Sequence, residues 1–525
     1  MFKMNLLFFT FASLSLAPLV SSSEILLMCP FPAPSHWLWI EHFARGLVNR
    51  GHHLTVITNH PTKQPHPNYT EIIISPNFDI PAYFPIETIF EMKYNSYINN
   101  VFMWWKVGLL TSEHALNNQK VKNLIRSKSK KFDLVIMEQF FHESFLMFGH
   151  KFQAPIVTLG TFGYADNMDR SMGIMTPWSF VPHIALPYKD RMNFWERCHN
   201  VFVSVVDLIG RRWYYLPEQQ KLAEKYFKDV PGPLPSLLKL ERNVSLMLIN
   251  SHISIDAPRP RMPGLVDVGG IHIKPTKPLP KNIKDFLDGA KHGAIYFSLG
   301  SYVRSNQMPK KKVKMILEAF RQLPQRVLWK YEDSSIGPLP ENIMISEWMP
   351  QNDILAHKNL KLFITHGGIF GTQEGIFHGV PFLFMPLFAD QHRNTLKSVN
   401  DGLGQSINFA DLTTELLLDR IRKVISNKTY SENMKRASLV FRDNLVPPME
   451  EAMYRIEYVI RHKGAPHTKS ASVNLQWYEY FLLDVFGSYL SLAIAPIYII
   501  LKFISLTMNA LNRKKEQNLF KKKIS

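Results

Sequence analysis

Residues 348–394 read WMPQNDILAHKNLKLFITHGGIFGTQEGIFHGVPFLFMPLFADQHRN. Two short apolar runs, Leu362 to Thr365 and Pro381 to Met385, are bounded by Gly and Pro. That is the signature of strands buried in a parallel sheet. The segment between them, Thr372 to His378, has room for one short helix, which makes a strand–loop–helix–strand unit with a right-handed crossover. The loop is His366-Gly367-Gly368. Glycines there let backbone N–H groups approach a ligand, and the following helix points its partly positive end at the same place. An anion, a phosphate above all, is the natural occupant. Glu374 and Asp390-Gln391 fall near the same carboxyl edge, where open α/β sheets bind ligands.

A Gly-rich loop alone is usually a plain turn. Here Trp348, Gln351, His366, Glu374, Asp390 and Gln391 agree in spacing along the whole stretch, and together they resemble the signature of the UDP-glycosyltransferases. The resemblance implies that Trp348 stacks on uracil and that Gln351 contacts the nucleoside. It gives His366, Gly367 and Gly368 to the diphosphate, Glu374 to the ribose hydroxyls, and Asp390 and Gln391 to the donor sugar. Many members carry Ser or Asn just after the double glycine. Here Ile369, Phe370 and Gly371 follow, which leaves that phosphate contact to backbone donors.

The chain has 525 residues, room for two or three domains, and 46% hydrophobic content, enough for a real core. Lys plus Arg exceed Asp plus Glu by 61 to 43, a formal charge of +18. No nucleic-acid motif accompanies the charge, and the most concentrated basic run is the C-terminus, so a membrane is the expected partner rather than nucleic acid. Cys29 and Cys198 are the only cysteines. They exclude a disulfide framework and a zinc site, and leave open one bridge or two free thiols.

In chain order, residues 1–23 read as a secretory signal: Lys3, then the apolar Leu6 to Leu19, then Ser21-Ser22-Ser23. Ile25 to Cys29 is a strand, Pro30 to His36 a loop, and Ile40, Phe43, Ala44, Leu47 and Val48 form one face of a helix. Leu54 to Thr58 closes a β-α-β start. Phe132 to Glu138, Ala154 to Gly160 and Ser245 to Asn250 are further strands. Residues 60–125 are rich in aromatics and Met, among them Phe90, Met92, Tyr94, Tyr97, Phe102, Trp104 and Trp105. These are either core or the lining of an apolar pocket.

The Pro-rich segment 257–280 reads as an interdomain linker. Ala294 to Ser298 opens the second domain, followed by the turn Ser298–Ser301, a helix through Val313 and Phe320, and the strand Arg326 to Lys330. The segment Val485 to Leu501 has no charged residue and reads, with its flanks, as a membrane span carrying Pro496. Basic residues after it place the tail in the cytosol. Lys522-Lys523-Ile524-Ser525 resembles a dilysine retrieval signal of the endoplasmic reticulum. Asn68, Asn243 and Asn427 head glycosylation sequons, with Asn243 expected near a strand start and so at risk of burial.

The expected architecture is α/β of the GT-B kind: two doubly wound Rossmann-like domains and a C-terminal transmembrane helix. Residues 24–256 form an acceptor-binding domain, 257–280 the linker, 281–446 a UDP-sugar domain, 447–484 C-terminal helices, 485–504 the span and 505–525 a basic tail. The resemblance further implies a catalytic His at His36, a second phosphate contact at Ser301, and acceptor contacts in the N-terminal half. His36 falls at a carboxyl edge. Glu138 ends a strand at the same edge, where the family often has Asp, while Asp133 starts that strand at the opposite edge. Glu138 is therefore the carboxylate expected to partner His36. The implied activity is inverting transfer of glucose or glucuronic acid from a UDP-sugar to a small lipophilic alcohol, in the endoplasmic-reticulum membrane with a lumenal catalytic body. No cofactor is expected, and the absence of an Asp-x-Asp triplet argues for metal-independent chemistry. Oligomeric state stays open, a homo-oligomer included. Two rival readings are a membrane-anchored carrier that binds without turnover, and a receptor ectodomain; the second leaves the 348–394 spacing unexplained.

Overall fold

The computed structural model of the protein describes residues 22–74, 90, 97–333 and 336–524. The expected signal lies almost wholly outside them, as do Met92, Tyr94 and Ser525.

The first sheet has seven parallel strands in the order β3-β2-β1-β4-β5-β6-β7. They are β1 (Glu24–Cys29), β2 (His53–Thr58), β3 (Tyr69–Ile73), β4 (Leu134–Glu138), β5 (Ile156–Gly160), β6 (Leu246–Ile249) and β7 (Leu265–Asp267). The central strands are buried on both faces, as their unbroken apolar runs require. β1 lies between β2 and β4, so the segments that leave β1 and β4 emerge side by side. The first of these becomes the helix Pro34–Asn49, with Pro34 in its opening turn, where the missing N–H costs nothing. The helix thus starts earlier than expected and takes in His36.

The second sheet has six parallel strands in the order β10-β9-β8-β11-β12-β13. They are β8 (Ala294–Ser298), β9 (Arg326–Lys330), β10 (Ile343–Ser346), β11 (Leu360–Thr365), β12 (Phe382–Phe384) and β13 (Gly404–Ser406). β11 is flanked by β8 and β12, which brings the loops after all three together. The helix after β11 runs Ile369–His378 and ends on Gly379 in the left-handed region (φ 75°). It begins three residues before the expected Thr372, because Gly368 already takes the N-cap position.

The expected linker 257–280 is not all linker. β7 lies inside it and pairs with β6 as the edge of the first sheet, so the true crossing starts after Asp267. Residues 447–484 include the helices Pro448–Arg461 and Trp477–Tyr480. The helix Pro448–Arg461 returns to the first domain, where Ala452, Met453, Ile456 and Val459 join the core formed by Ile40, Phe43, Ala44 and Leu47. Burial of the larger of these contributes roughly 1.5–3 kcal/mol each. The approach is close: a Cβ on Gly46 would meet Met453 Sδ at 2.9 Å. Arg50 adds ion pairs with Glu450 and, at 3.0 Å, Glu457.

Cys29 is buried and Cys198 exposed; both are free thiols, so no bridge forms. Asn243 sits at the C-terminus of the helix Leu237–Arg242 and is exposed, not buried as feared. Asn427 is exposed and Asn68 partly so.

Residues 470–525 form a unit of their own. Its main element is one helix, Leu483–Ile524, with Pro496 inside it. Within Leu483–Lys523 the most apolar 18-residue stretch has mean hydropathy 1.9, and the helix is long and apolar enough to cross a membrane. The helix runs on past residue 504, because 505–524 contains neither Gly nor Pro and carries Lys and Leu, both good helix formers.

Candidate active site

His36, in the first turn after β1, and Glu138, the last residue of β4, meet at the carboxyl edge of the first sheet. Glu138 Oε1 accepts a hydrogen bond from His36 Nδ1. Glu138 is fully buried and His36 nearly so. A buried carboxylate needs donors on both oxygens. Thr161, just past β5, donates to Oε1 at 3.2 Å, and Cys29 Sγ donates to Oε2 at 3.5 Å. Burial, then the neighbouring carboxylate, pushes the Cys29 thiol well above its ordinary pKa, so it stays a donor. Asp133 lies at the other edge, accepting from the Glu24 backbone N at 2.8 Å.

Aromatic rings surround the imidazole: Phe162, Phe31 and Phe140 lie 4.7, 5.0 and 5.2 Å from it between centroids. Phe31, Ala33, Trp104, Val107 and Phe162 form the apolar end of a cavity of about 500 Å³ that also includes His36. Of the aromatics in 60–125, then, Trp104 faces the cavity, while Trp105 is buried with Val101 and Tyr215 and Phe90 in the second domain's core.

The other wall comes from the second domain: Ser301, Trp348, Gln351, His366, Gly368, Glu374, Asp390 and Gln391 all line the cavity. His366 is wedged between two glycines. A Cβ on Gly300 would meet its Cε1 at 2.6 Å, and one on Gly368 its Nε2 at 2.5 Å. Burial, helped by the Lys330 ammonium, drops its pKa to about 4, so it is a neutral imidazole, a hydrogen-bonding group rather than a cation. Trp348 is largely exposed along the cavity, with the Lys330 ammonium 5.9 Å from its ring. Gln351 Nε2 donates to Glu374. Burial raises the Glu374 carboxyl to about 7 despite that bond. Asp390 is also raised, by burial first, with Arg393 opposing; its Oδ2 accepts from Asn394 Nδ2 at 2.6 Å. Ala389, beside it, holds φ at +56°, an uncommon conformation for a residue with a Cβ.

Two expected ligand residues are placed differently. Gly367 is not among the cavity-lining residues; at φ +83° it makes the turn, and a Cβ there would meet Thr395 Oγ1 at 2.6 Å. Gln391 lines the cavity, but its Oε1 already accepts from the backbone N of Leu387 and Phe388 at 2.8 and 3.1 Å. Sequence reasoning missed Thr161, Lys330 and Arg393. Lys330 ends β9, is buried, and donates to Gly300 O at 2.7 Å. Arg393 Nη2 reaches across to Phe162 O at 3.3 Å. For the first two the signal was position alone, at or just after the carboxyl end of a strand.

Two all-parallel Rossmann-like domains, with the cleft between them lined from both sides, define a GT-B glycosyltransferase. Solved structures share this fold. A UDP-glucosyltransferase from Polygonum tinctorium superposes with a TM-score of 0.56 at 14% identity, covering 84% of this chain and 98% of its own. The glycosyltransferase VinC gives 0.56 at 14%, covering 84% and 100%. The family model "UDP-glucoronosyl and UDP-glucosyl transferase" matches residues 24–518, and the chain belongs to that family: it is a UDP-glycosyltransferase. Among curated relatives, UDP-glucosyltransferase 2 of Dactylopius coccus is 37% identical, over 89% of each chain. UDP-glycosyltransferase UGT5 of the same insect is 35% identical over 96% of each, and UDP-glucuronosyltransferase 2A3 of Mus musculus 31% over 93% of each.

Proposed function

We propose that this enzyme transfers glucose or glucuronic acid from its UDP-sugar to a hydroxyl of a small lipophilic acceptor, with inversion. One observation carries the reading: His36, with Nδ1 held by Glu138, faces across one cavity the open N-terminus of the helix Ile369–His378. The apolar end beside His36 suits a lipophilic acceptor. With Nδ1 engaged, Nε2 is the nitrogen that takes the acceptor's proton. An imidazole is suited to this because its basicity lies near neutral pH. Glu138 then faces an imidazolium and stabilises it, as the acid of a triad does. The acceptor oxygen attacks the anomeric carbon from the side opposite UDP. The bond from that carbon to the diphosphate oxygen breaks, and the diphosphate leaves with the electron pair. The backbone N–H groups of Gly368 and Ile369, and neutral His366, are the donors for the charge that develops there, each well-placed donor contributing on the order of 3 kcal/mol. Trp348 stacks on the base, Glu374 and Gln351 hold the ribose side, and Asp390 takes sugar hydroxyls; Gln391 contributes its amide nitrogen, its oxygen being committed. Microsomes containing the protein, offered UDP-glucose and UDP-glucuronate with a panel of phenols and aliphatic alcohols, test the reading. Binding of UDP with no transfer to any acceptor would favour the carrier instead.

Trp348→Ala is expected to weaken UDP binding by roughly 1–3 kcal/mol without loss of fold, read by calorimetric titration. Unchanged affinity removes the stacking assignment.

We place the catalytic body in the lumen of the endoplasmic reticulum, with the apolar first half of the helix Leu483–Ile524, residues 485–504, spanning the membrane and the basic second half in the cytosol. Protease added to sealed microsomes should remove only a C-terminal fragment, and a glycosidase should shift the mobility of the protected body through exposed sequons such as Asn427 and Asn243. Digestion of the body without detergent overturns this topology.

A further inference from the structure

The helix Phe194–Gly210 is inside out for a water-soluble surface. Its inward side carries polar groups beside one buried valine, Val203. Asn200 is fully buried, its Oδ1 accepting from His183 N at 2.7 Å and its Nδ2 donating to Trp178 O and Val181 O at 2.8 and 3.0 Å. Ser204 is buried too. In the π-helical turn that follows, Arg211–Tyr215, the Arg211 guanidinium is buried against Glu241 and, at 2.6 Å, Glu143.

The outward side is apolar. Trp195, Phe202, Ile209 and Trp213 succeed one another at spacings that keep one helix face, and they are 77%, 56%, 54% and 76% exposed. Tyr214 flanks them, and Phe102 of the helix Tyr97–Asn117 extends the patch, 6.4 Å from Tyr214 between ring centroids. Soluble helices turn such a stripe inward, and a contiguous exposed apolar patch marks a contact surface. The helix cannot hide it by rotating. That would strip Arg211 from two buried carboxylates and leave their charges uncompensated.

What covers the face follows from its rim and its ends. Within residues 189–214 the exposed charges are Lys189, Arg191, Arg197 and Arg212 against Asp190 alone. Tryptophans stand at both ends of the stripe, about 27 Å apart at 1.5 Å per residue. Basic residues around an apolar face, with indoles at its margins, match a bilayer interface, where rings sit at headgroup depth and arginines meet lipid phosphates. The same chain carries a helix fit to cross a membrane. We propose that the Trp195–Trp213 face is a membrane-docking surface. Trp195, Phe202, Ile209 and Trp213 enter the headgroup region, and Arg191, Arg197 and Arg212 engage lipid phosphates.

The protein supplies its own probe. Cys198 is exposed on this face, between Trp195 and Phe202, while Cys29 is buried. The full chain, spin-labelled at Cys198 and reconstituted in phosphatidylcholine–phosphatidylserine vesicles, should collide with oxygen more often than with a water-soluble nickel chelate. A label at the fully exposed Leu445 (Leu445→Cys in a Cys198→Ser background) should show the reverse preference. In Trp195→Glu/Trp213→Glu the Cys198 preference should be lost while UDP affinity holds. If Cys198 in the unaltered chain matches Leu445, the proposal fails. It fails equally if dipolar broadening between labels shows the face buried against a second copy.

Discussion

His36→Ala is expected to lower turnover by about 10²–10⁴-fold, the usual contribution of a positioned general base. UDP affinity should stay unchanged, since the nucleotide contacts proposed above come from the other domain. Glu138→Gln should be nearly as damaging. It keeps the shape at the end of β4 but removes the charge that faces the imidazolium, and it places an amide against Nδ1, Thr161 Oγ1 and Cys29 Sγ, an arrangement built from donors. Asp133→Asn is the control. Its carboxylate accepts from the Glu24 backbone N at the far edge of the sheet, so the change should touch stability at most. Single-turnover rates beside calorimetric UDP titrations separate the two effects. Normal turnover in His36→Ala would remove the base; full turnover in Glu138→Gln beside a dead Asp133→Asn would put the carboxylate at the wrong end of β4.

Glu374→Gln should make the unliganded enzyme more stable and the UDP complex weaker. The Glu374 carboxyl titrates at about 7 in the folded protein against an ordinary value of 4.5. The fold therefore holds the proton more tightly than the unfolded chain does. Stability tied to this group is fully present below pH 4.5 and is lost as pH rises through about 7. A glutamine has no proton to lose. At pH 8 the variant should gain on the order of 1–3 kcal/mol, seen as a raised Tm that vanishes near pH 4. If the ionised carboxylate is what receives the ribose hydroxyls, UDP should bind the unaltered enzyme more weakly as pH falls below 7, a trend the variant should lack. Equal melting temperatures at pH 8, or a parallel pH trend in both proteins, would dismiss the assignment.

The strands and their edges were readable because parallel strands buried on both faces leave unbroken apolar runs, and because a residue just after such a run must lie at the carboxyl edge. That rule brought His36 and Glu138 together and set Asp133 apart. It does not reach features decided by tertiary pairing. β7 is three residues long among prolines, and nothing local marks it as a strand. Trp104 and Trp105 are neighbours in sequence, yet one faces the cavity and the other is buried. Where both sides of a helix carry aromatics, the pattern does not fix its rotation. Gly367 and Gly368 look alike in sequence and differ in φ, +83° against −62°, so one turns the chain and the other opens the helix toward the cavity. Gln391 lines the cavity, yet its sequence position could not show that its oxygen serves the backbone of its own loop.

The return of Pro448–Arg461 to the first domain means that the chain crosses between the two domains twice, once after β7 and once after Arg442. Two crossings resist sliding of one domain against the other more than a single linker would. Close to the first crossing, Gln373 Nε2 donates to Asn250 Oδ1 at 2.9 Å and its Oε1 accepts from Gly270 N at 2.9 Å, which adds a side-chain tie to the covalent one. The Arg393–Phe162 contact lies beside Asp390 on one side and Thr161 on the other. Arg393 thus ties the loop that carries Asp390 to the loop that carries Thr161, so the two edges of the cavity are fastened to each other directly and not only through the chain crossings.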